Sequence, residues 1–82
     1  MSTVASRRLD ALLDAAEASG SCLVAHEERD RRALRRRLGM PNSDLLSPAP
    51  GLYVRREHWL GLRPDERALH VMRGLAERRP GI

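Results

Sequence analysis

The sequence contains no phenylalanine and no lysine, and it has one tryptophan, one tyrosine and one cysteine among its 82 residues. Without the buried area that aromatic rings supply, the core must be built from leucine, valine, alanine and methionine, and leucine is abundant. A chain of this length buries roughly 60% of the surface that its unfolded form exposes. We therefore expect one small, helix-rich domain over residues 1–82.

The lone cysteine, Cys22, excludes an intrachain disulfide and a zinc site built on several thiolates. Its place in the apolar run CLVA indicates a buried, inert thiol. The three histidines, His26, His58 and His70, lack metal-ligand spacing, and we interpret each as a surface or hairpin residue. Glycine-rich phosphate loops and nucleophile-elbow motifs are also missing. We accordingly expect no enzymatic activity, no metal and no cofactor.

Long apolar runs are absent as well. No stretch approaches the ~20 apolar residues that cross a bilayer, and residues 1–16 show neither the apolar region nor the cleavage site of a secretory signal. We expect a cytoplasmic protein that is neither secreted nor inserted into a membrane. The single cysteine fits a reducing compartment.

Positive charge is plentiful and concentrated in one segment. All fifteen basic residues are arginine, and the net charge is +4. Residues 29–37, RDRRALRRR, carry a local charge of +5. Such a density is typical of a surface that meets an anionic partner, most often nucleic acid phosphate. The alternative is a solvated helix whose arginines are partly neutralised by Glu27, Glu28 and Asp30.

Apolar periodicity predicts three helices. The first has a stripe at Ala5, Leu9, Leu12, Leu13 and Ala16 and should end at Ser19 and Gly20. The second should occupy residues 27–38, with Gly39 and Pro41 stopping it. The last should begin at Pro64 and end within residues 78–81. Its apolar positions are expected to face the core, and they are Ala68, Leu69, Val71, Met72, Leu75 and Ala76.

Two apolar runs joined by a Pro/Gly-rich bend predict a β-hairpin over residues 45–56, after a short extended segment at residues 22–25. Gly51 can supply a positive φ in the bend. Leu52 and Val54 should face one side of the hairpin, and Tyr53 and Arg55 the other. A wing that carries Arg55 and Arg56 could lie against a phosphate backbone. Equally, the hairpin could merely cover the core.

The segment RRALRRRLG (residues 31–39), followed by DLLSPAPGLYV (residues 44–54), resembles the N-terminal winged helix of AbiEi-type antitoxins and related bacterial regulators. The later segment DERALHVMRGLAERRPG is similar to the helix that leads into a larger C-terminal domain in such proteins. The resemblance implies a small, reduced winged helix of the α+β class, with three helices, a short strand and a two-stranded wing. It also implies that this chain is the N-terminal part of a longer protein. Only one helix, instead of the family's two, is available between the first strand and the wing.

The same resemblance would make Arg32, Arg35 and Arg36 contacts to a DNA groove or its phosphates. It would make Gly51 and Tyr53 structural positions of the wing. The charge pattern and the resemblance together predict six DNA-binding residues, which are Arg31, Arg32, Arg35, Arg36, Arg55 and Arg56.

These patterns predict binding to double-stranded DNA in a bacterial transcriptional regulator, such as the autoregulator of a toxin–antitoxin operon. A second hypothesis is a protein-interaction domain that packs on a partner or on a C-terminal domain and binds no nucleic acid. The wide apolar stripe of the last helix further predicts a homodimer through that helix, since large exposed apolar patches mark partner sites. Such a dimer would be expected to place two basic helices on one duplex.

Overall fold

The computed structural model describes residues 4–78, in which four helices surround a three-stranded antiparallel sheet. The α+β class is as predicted, although three helices were expected. The additional helix has only five residues, which is too short for a periodic apolar pattern to reveal. The predicted helix end at residues 79–81 lies outside the described residues, as does the side chain of Ala5. In chain order the elements are α1 (Val4–Ala18), β1 (Leu23–Val24), α2 (Glu28–Leu38), β2 (Leu45–Leu46), β3 (Leu52–Arg55), α3 (Arg56–Leu60) and α4 (Pro64–Arg78).

Helix α1 ends in the glycine cap that the sequence predicts. Gly20 adopts a left-handed φ of 68°, which lets its N–H donate to the carbonyl of Glu17 and the N–H of Ser21 donate to the carbonyl of Ala16. These two bonds form a Schellman motif. The chain is thereby turned directly into β1.

The sheet has the order β1-β3-β2, so β3 is its central strand. Leu23 of β1 lies opposite Tyr53, and Leu46 of β2 lies opposite Val54. The predicted hairpin is therefore present, but its second strand is buried on both faces instead of forming one side of a two-stranded wing. Gly51, with φ 79°, supplies the positive φ in the bend.

The sheet separates two apolar clusters because side chains alternate along each strand. On one face Tyr53 packs with Leu13 of α1 and Leu34 of α2, which is completely buried. On the other face Leu52 and Val54 pack with partly buried residues of α3 and α4. Helices α1 and α2 thus lie on one side of the sheet, and α3 and α4 lie on the other.

The inward face predicted for the last helix is confirmed for Val71 and Leu75 and wrong for Ala68, Leu69, Met72 and Ala76. In α4, Leu69 and Met72 are 46% and 64% exposed, and Ala68 and Ala76 are exposed as well. The side that meets the sheet is formed by His70, Val71, Gly74 and Leu75. The widest apolar stripe of α4 consequently faces outward.

Candidate nucleic-acid interface

The outward surface of α2 carries five arginines on one side of the helix. At 3.6 residues per turn they fall within an arc of roughly 160°. All five are exposed. We call this surface the α2 arginine face, and its members are Arg29, Arg31, Arg32, Arg35 and Arg36.

The α2 arginine face is only partly neutralised. Arg31, Arg32 and Arg35 lie 3.0, 3.8 and 3.6 Å from oxygens of one carboxylate, that of Glu28. The hydrogen bond from Arg31, together with the charges of all three arginines, lowers the pKa of Glu28. One carboxylate cannot balance three guanidinium groups, so a net positive charge stays exposed.

The two ends of the α2 arginine face differ in their partners. Arg29 Nε lies 2.8 Å from an oxygen of Glu27, the residue that precedes α2. Arg36 makes no ion pair with any described residue. With Glu27 and Glu28 counted, the face still carries a surplus of three positive charges. Its C-terminal half is the most available to an anion.

The opposite side of α2 holds the helix in the fold. Leu34 is fully buried, and Ala33 and Leu38 pack beside it, so the three residues form a narrow apolar edge on the helix. Asp30 is also buried, and Arg8 of α1 donates to both of its carboxylate oxygens, at 3.0 to 3.3 Å. The bond from Arg8 is the main cause that lowers the pKa of Asp30. Because the inner side is fixed in this way, the arginines must point away from the domain.

Arg37 belongs to the basic segment of the sequence but not to the α2 arginine face. It turns inward, where Nη1 lies 3.0 Å from Asp10 and Nε donates to Asp44 at 3.0 Å. These acids raise the pKa of Arg37, with the bond to Asp44 as the largest cause. Arg37 therefore fastens α2 to α1 and to the loop before β2.

The structure places Arg55 away from the α2 arginine face. It lies at the end of β3, and Nη1 is 2.6 Å from Asp14 and 3.1 Å from Glu17, both on α1. The bond to Asp14 is the main cause that raises the pKa of Arg55. A third acid, Asp10, is 3.6 Å away. These acids disfavour the phosphate contact that the sequence predicts for a wing arginine, and Arg55 instead joins the sheet to α1.

Arg56, predicted on the wing, is the first residue of α3. Its backbone N–H donates to the carbonyl of Asp44 at 2.7 Å, and its exposed guanidinium donates to the carbonyl of Ser43 at 3.3 Å. It borders an open cleft of about 740 Å³ together with Asn42 and Glu57. Its phosphate contact stays a prediction.

Gly51 and Tyr53 have structural positions within the hairpin. Arg78 of α4 donates to the carbonyl of Pro50, next to Gly51, and this bond ties the bend to the end of α4. Tyr53 is 6% exposed and packs in the cluster shared with α1 and α2. Tyr53 is therefore shielded from direct contact with a ligand.

A histidine pair links α3 to α4, and sequence reasoning missed it. His58 Nε2 and His70 Nε2 are 3.1 Å apart, and His70 Nδ1 donates to the carbonyl of Glu66 at 2.7 Å. With that proton on Nδ1, neutral His70 accepts at Nε2, and His58 is the donor. His70 is buried, contrary to the surface position expected for it. Twelve residues separate the two rings, so no local motif could reveal the contact.

Other candidate chemistry is sparse in the part of the chain that the structure describes. Cys22 is 1% exposed, as predicted, and burial raises the pKa of its thiol to about 11. Residues 4–78 contain no cluster of three or more His, Cys, Asp or Glu side chains that could hold a metal ion. The α2 arginine face is therefore the strongest candidate site.

None of the helices within residues 4–78 has both the length and the apolar character that crossing a membrane requires.

Comparison of the chain with protein-family models, with curated proteins and with solved structures finds no match.

Proposed function

We propose that this domain binds double-stranded DNA through the α2 arginine face, as the DNA-binding module of a bacterial transcriptional regulator. The observation that carries the proposal is the outward clustering of five arginines, three of which share the single carboxylate of Glu28. DNA carries one phosphate charge per about 1.7 Å of helix axis, and α2 is roughly 16 Å long. Several phosphates can thus meet the face at once.

The order of the elements supports the proposal. A helix, a short strand, a helix and a hairpin follow one another, and the first strand pairs with the second strand of the hairpin. A winged helix has a similar order, with a basic helix before the wing, but it carries two helices between the first strand and the wing. Here a single described helix, α2, lies between β1 and β2, so the proposed contact is to phosphates along one helix. The resemblance of residues 31–54 to AbiEi-type regulators supports autoregulation of a toxin–antitoxin operon as the biological role.

A duplex-binding titration tests the proposal. A single module with few phosphate contacts should bind in the non-specific range, with a dissociation constant of about 10⁻⁴ to 10⁻⁶ M. We expect the double substitution Arg35→Ala and Arg36→Ala to weaken binding several-fold in fluorescence anisotropy of a labelled duplex. Both side chains are exposed, so the circular dichroism spectrum should not change.

A matched pair of single substitutions controls for net charge. Arg36 and Arg63 are both exposed, and neither forms an ion pair with a described residue. Arg63 immediately precedes α4, on the other side of the sheet. Arg36→Ala should weaken binding more than Arg63→Ala, although both remove one positive charge. Equal effects would mean that net charge alone attracts the duplex and that the face has no special role.

A further inference from the structure

Helix α4 has two apolar sides, and only one of them is used by the fold. Val71, Gly74 and Leu75 meet the sheet, whereas Leu69 and Met72 are exposed on the far side. Ala68 and Ala76 extend the exposed stripe. We call this stripe the α4 outer face, and its members are Ala68, Leu69, Met72 and Ala76.

We propose that a second copy of this chain covers the α4 outer face, with the two α4 helices antiparallel about a two-fold axis. Leu69, Met72 and Ala76 are spaced three and four residues apart, which is the spacing of a helix seam that packs against another helix. A seam of this kind is self-complementary in a two-fold dimer, because each Leu69 lies beside the other copy's Met72. An apolar stripe of two large and two small residues also allows close approach of the helices.

The charges that flank the seam favour the antiparallel orientation. Glu66 and Arg73 lie along the same edge of the α4 outer face, seven residues apart, and they have opposite signs. In an antiparallel two-fold pair each Glu66 comes near Arg73 of the other copy. In a parallel two-fold pair this edge would lie beside the opposite edge of the partner helix, and the two opposite charges would not meet. In the monomer Glu66 accepts from the N–H of Arg63, and Arg73 donates to the carbonyl of Gly20, so the contact across the dimer would be a second one for each side chain.

The dimer would display its two α2 arginine faces in opposite directions. Helices α2 and α4 lie on opposite sides of the sheet, and each exposed surface points away from it. The two copies would therefore engage separate duplex segments, and not one duplex as the sequence suggested. This consequence rests on the proposed function, whereas the dimer itself does not.

Sedimentation velocity tests the dimer directly. One helix pair buries less than the ~1,600 Å² of a standard interface, so we expect association between about 10 μM and 1 mM of protein. Met72→Glu should keep the protein monomeric over that range. Met40→Glu is the matched control, because Met40 is similarly exposed, at 58%, but lies beyond the end of α2. A parent protein that stays monomeric at 1 mM, or a dimer that survives Met72→Glu, would overturn the proposal.

Cysteine crosslinking tests the orientation. Cys22 is buried, so an introduced cysteine should be the reactive one under mild oxidation. In the antiparallel pair the two copies of residue 72 lie roughly 5 Å apart along the helix axis and those of residue 76 roughly 17 Å apart. Met72→Cys should thus crosslink much faster than Ala76→Cys. Equal rates would indicate parallel helices and contradict the antiparallel arrangement.

The experiment separates this inference from the proposed function. Met72→Glu leaves the α2 arginine face intact and should bind a short duplex as tightly per domain as the parent. The variant with Arg35→Ala and Arg36→Ala should still dimerise while losing DNA affinity. If the dimer prediction fails, the DNA-binding proposal is still tested by the arginine variant, and the reverse also holds.

Discussion

At the scale of single residues, Gly74 explains why α4 turns its poorer apolar side toward the sheet. A Cβ at this position would lie 2.9 Å from Leu52 Cδ2 and 3.2 Å from Cys22 Cβ. The absence of a side chain lets α4 approach the central strand closely. An apolar pattern in the sequence is read from side chains. It therefore does not identify a helix face whose close packing depends on a glycine, which has no side chain.

We predict that Gly74→Ala destabilises the domain even though alanine is the better helix former. The helix propensity gained is about 1 kcal/mol, whereas overpacking against the fully buried Leu52 costs typically 1–3 kcal/mol. The net loss in the free energy of unfolding should be about 1 kcal/mol in a urea titration. Gly39→Ala is the control, because its Cβ would come no closer than 3.5 Å to the carbonyl of Arg35. Gly74→Ala behaving as well as Gly39→Ala would show that the close approach carries no cost.

At the scale of elements, local signals were sufficient for most of the architecture. The cap at Gly20, the end of α2 at Gly39 and the bend before Leu52 each belong to a few neighbouring residues, and each was predictable. The pairing of β1 with β3 and the ion pairs of Arg55 join residues about thirty to forty positions apart. No pattern within a short stretch of sequence predicts such contacts. The exposed arginines of α2 were thus predictable from local sequence, whereas the ion pairs of Arg37 with Asp10 and Asp44 and of Arg55 with acids of α1 were not.

The junction between α1 and α2 predicts a pH dependence of stability. Asp30 has a lowered pKa in the folded protein because Arg8 donates to it, so the unfolded state binds the proton more readily. The contribution of this carboxylate to stability is therefore present above its unfolded pKa of about 4 and is lost as the pH falls through its lower folded value.

Asp30→Asn should consequently lower the melting temperature at pH 7, with the difference from the parent shrinking as the pH falls below about 4. Melting curves recorded by circular dichroism from neutral to strongly acidic pH would show it. Asp65→Asn is a suitable control, because Asp65 forms no ion pair with a described residue. A difference for Asp30→Asn that stays constant across the whole range would contradict the role given to the ion pair with Arg8.

At the scale of the whole molecule, the sheet separates two surfaces of different character. The α2 arginine face lies on one side and the α4 outer face on the other. Only the first carries the charge that duplex recognition needs. The proposed DNA contact and the proposed dimer contact therefore lie on opposite sides of the sheet, so substitutions can alter one surface without the other.

The salt dependence of duplex binding tests the role of the α2 arginine face most directly. Each phosphate neutralised releases counterions and contributes about −0.9 to the slope of log K against log salt concentration. For up to five arginines we predict a slope of roughly −3 to −4.5 for the parent, and a slope shallower by about 1.8 for the variant with Arg35→Ala and Arg36→Ala. If the variant instead bound the duplex with the parent's affinity and slope, or if the parent failed to bind at about 50 mM salt, DNA recognition through this face would be refuted.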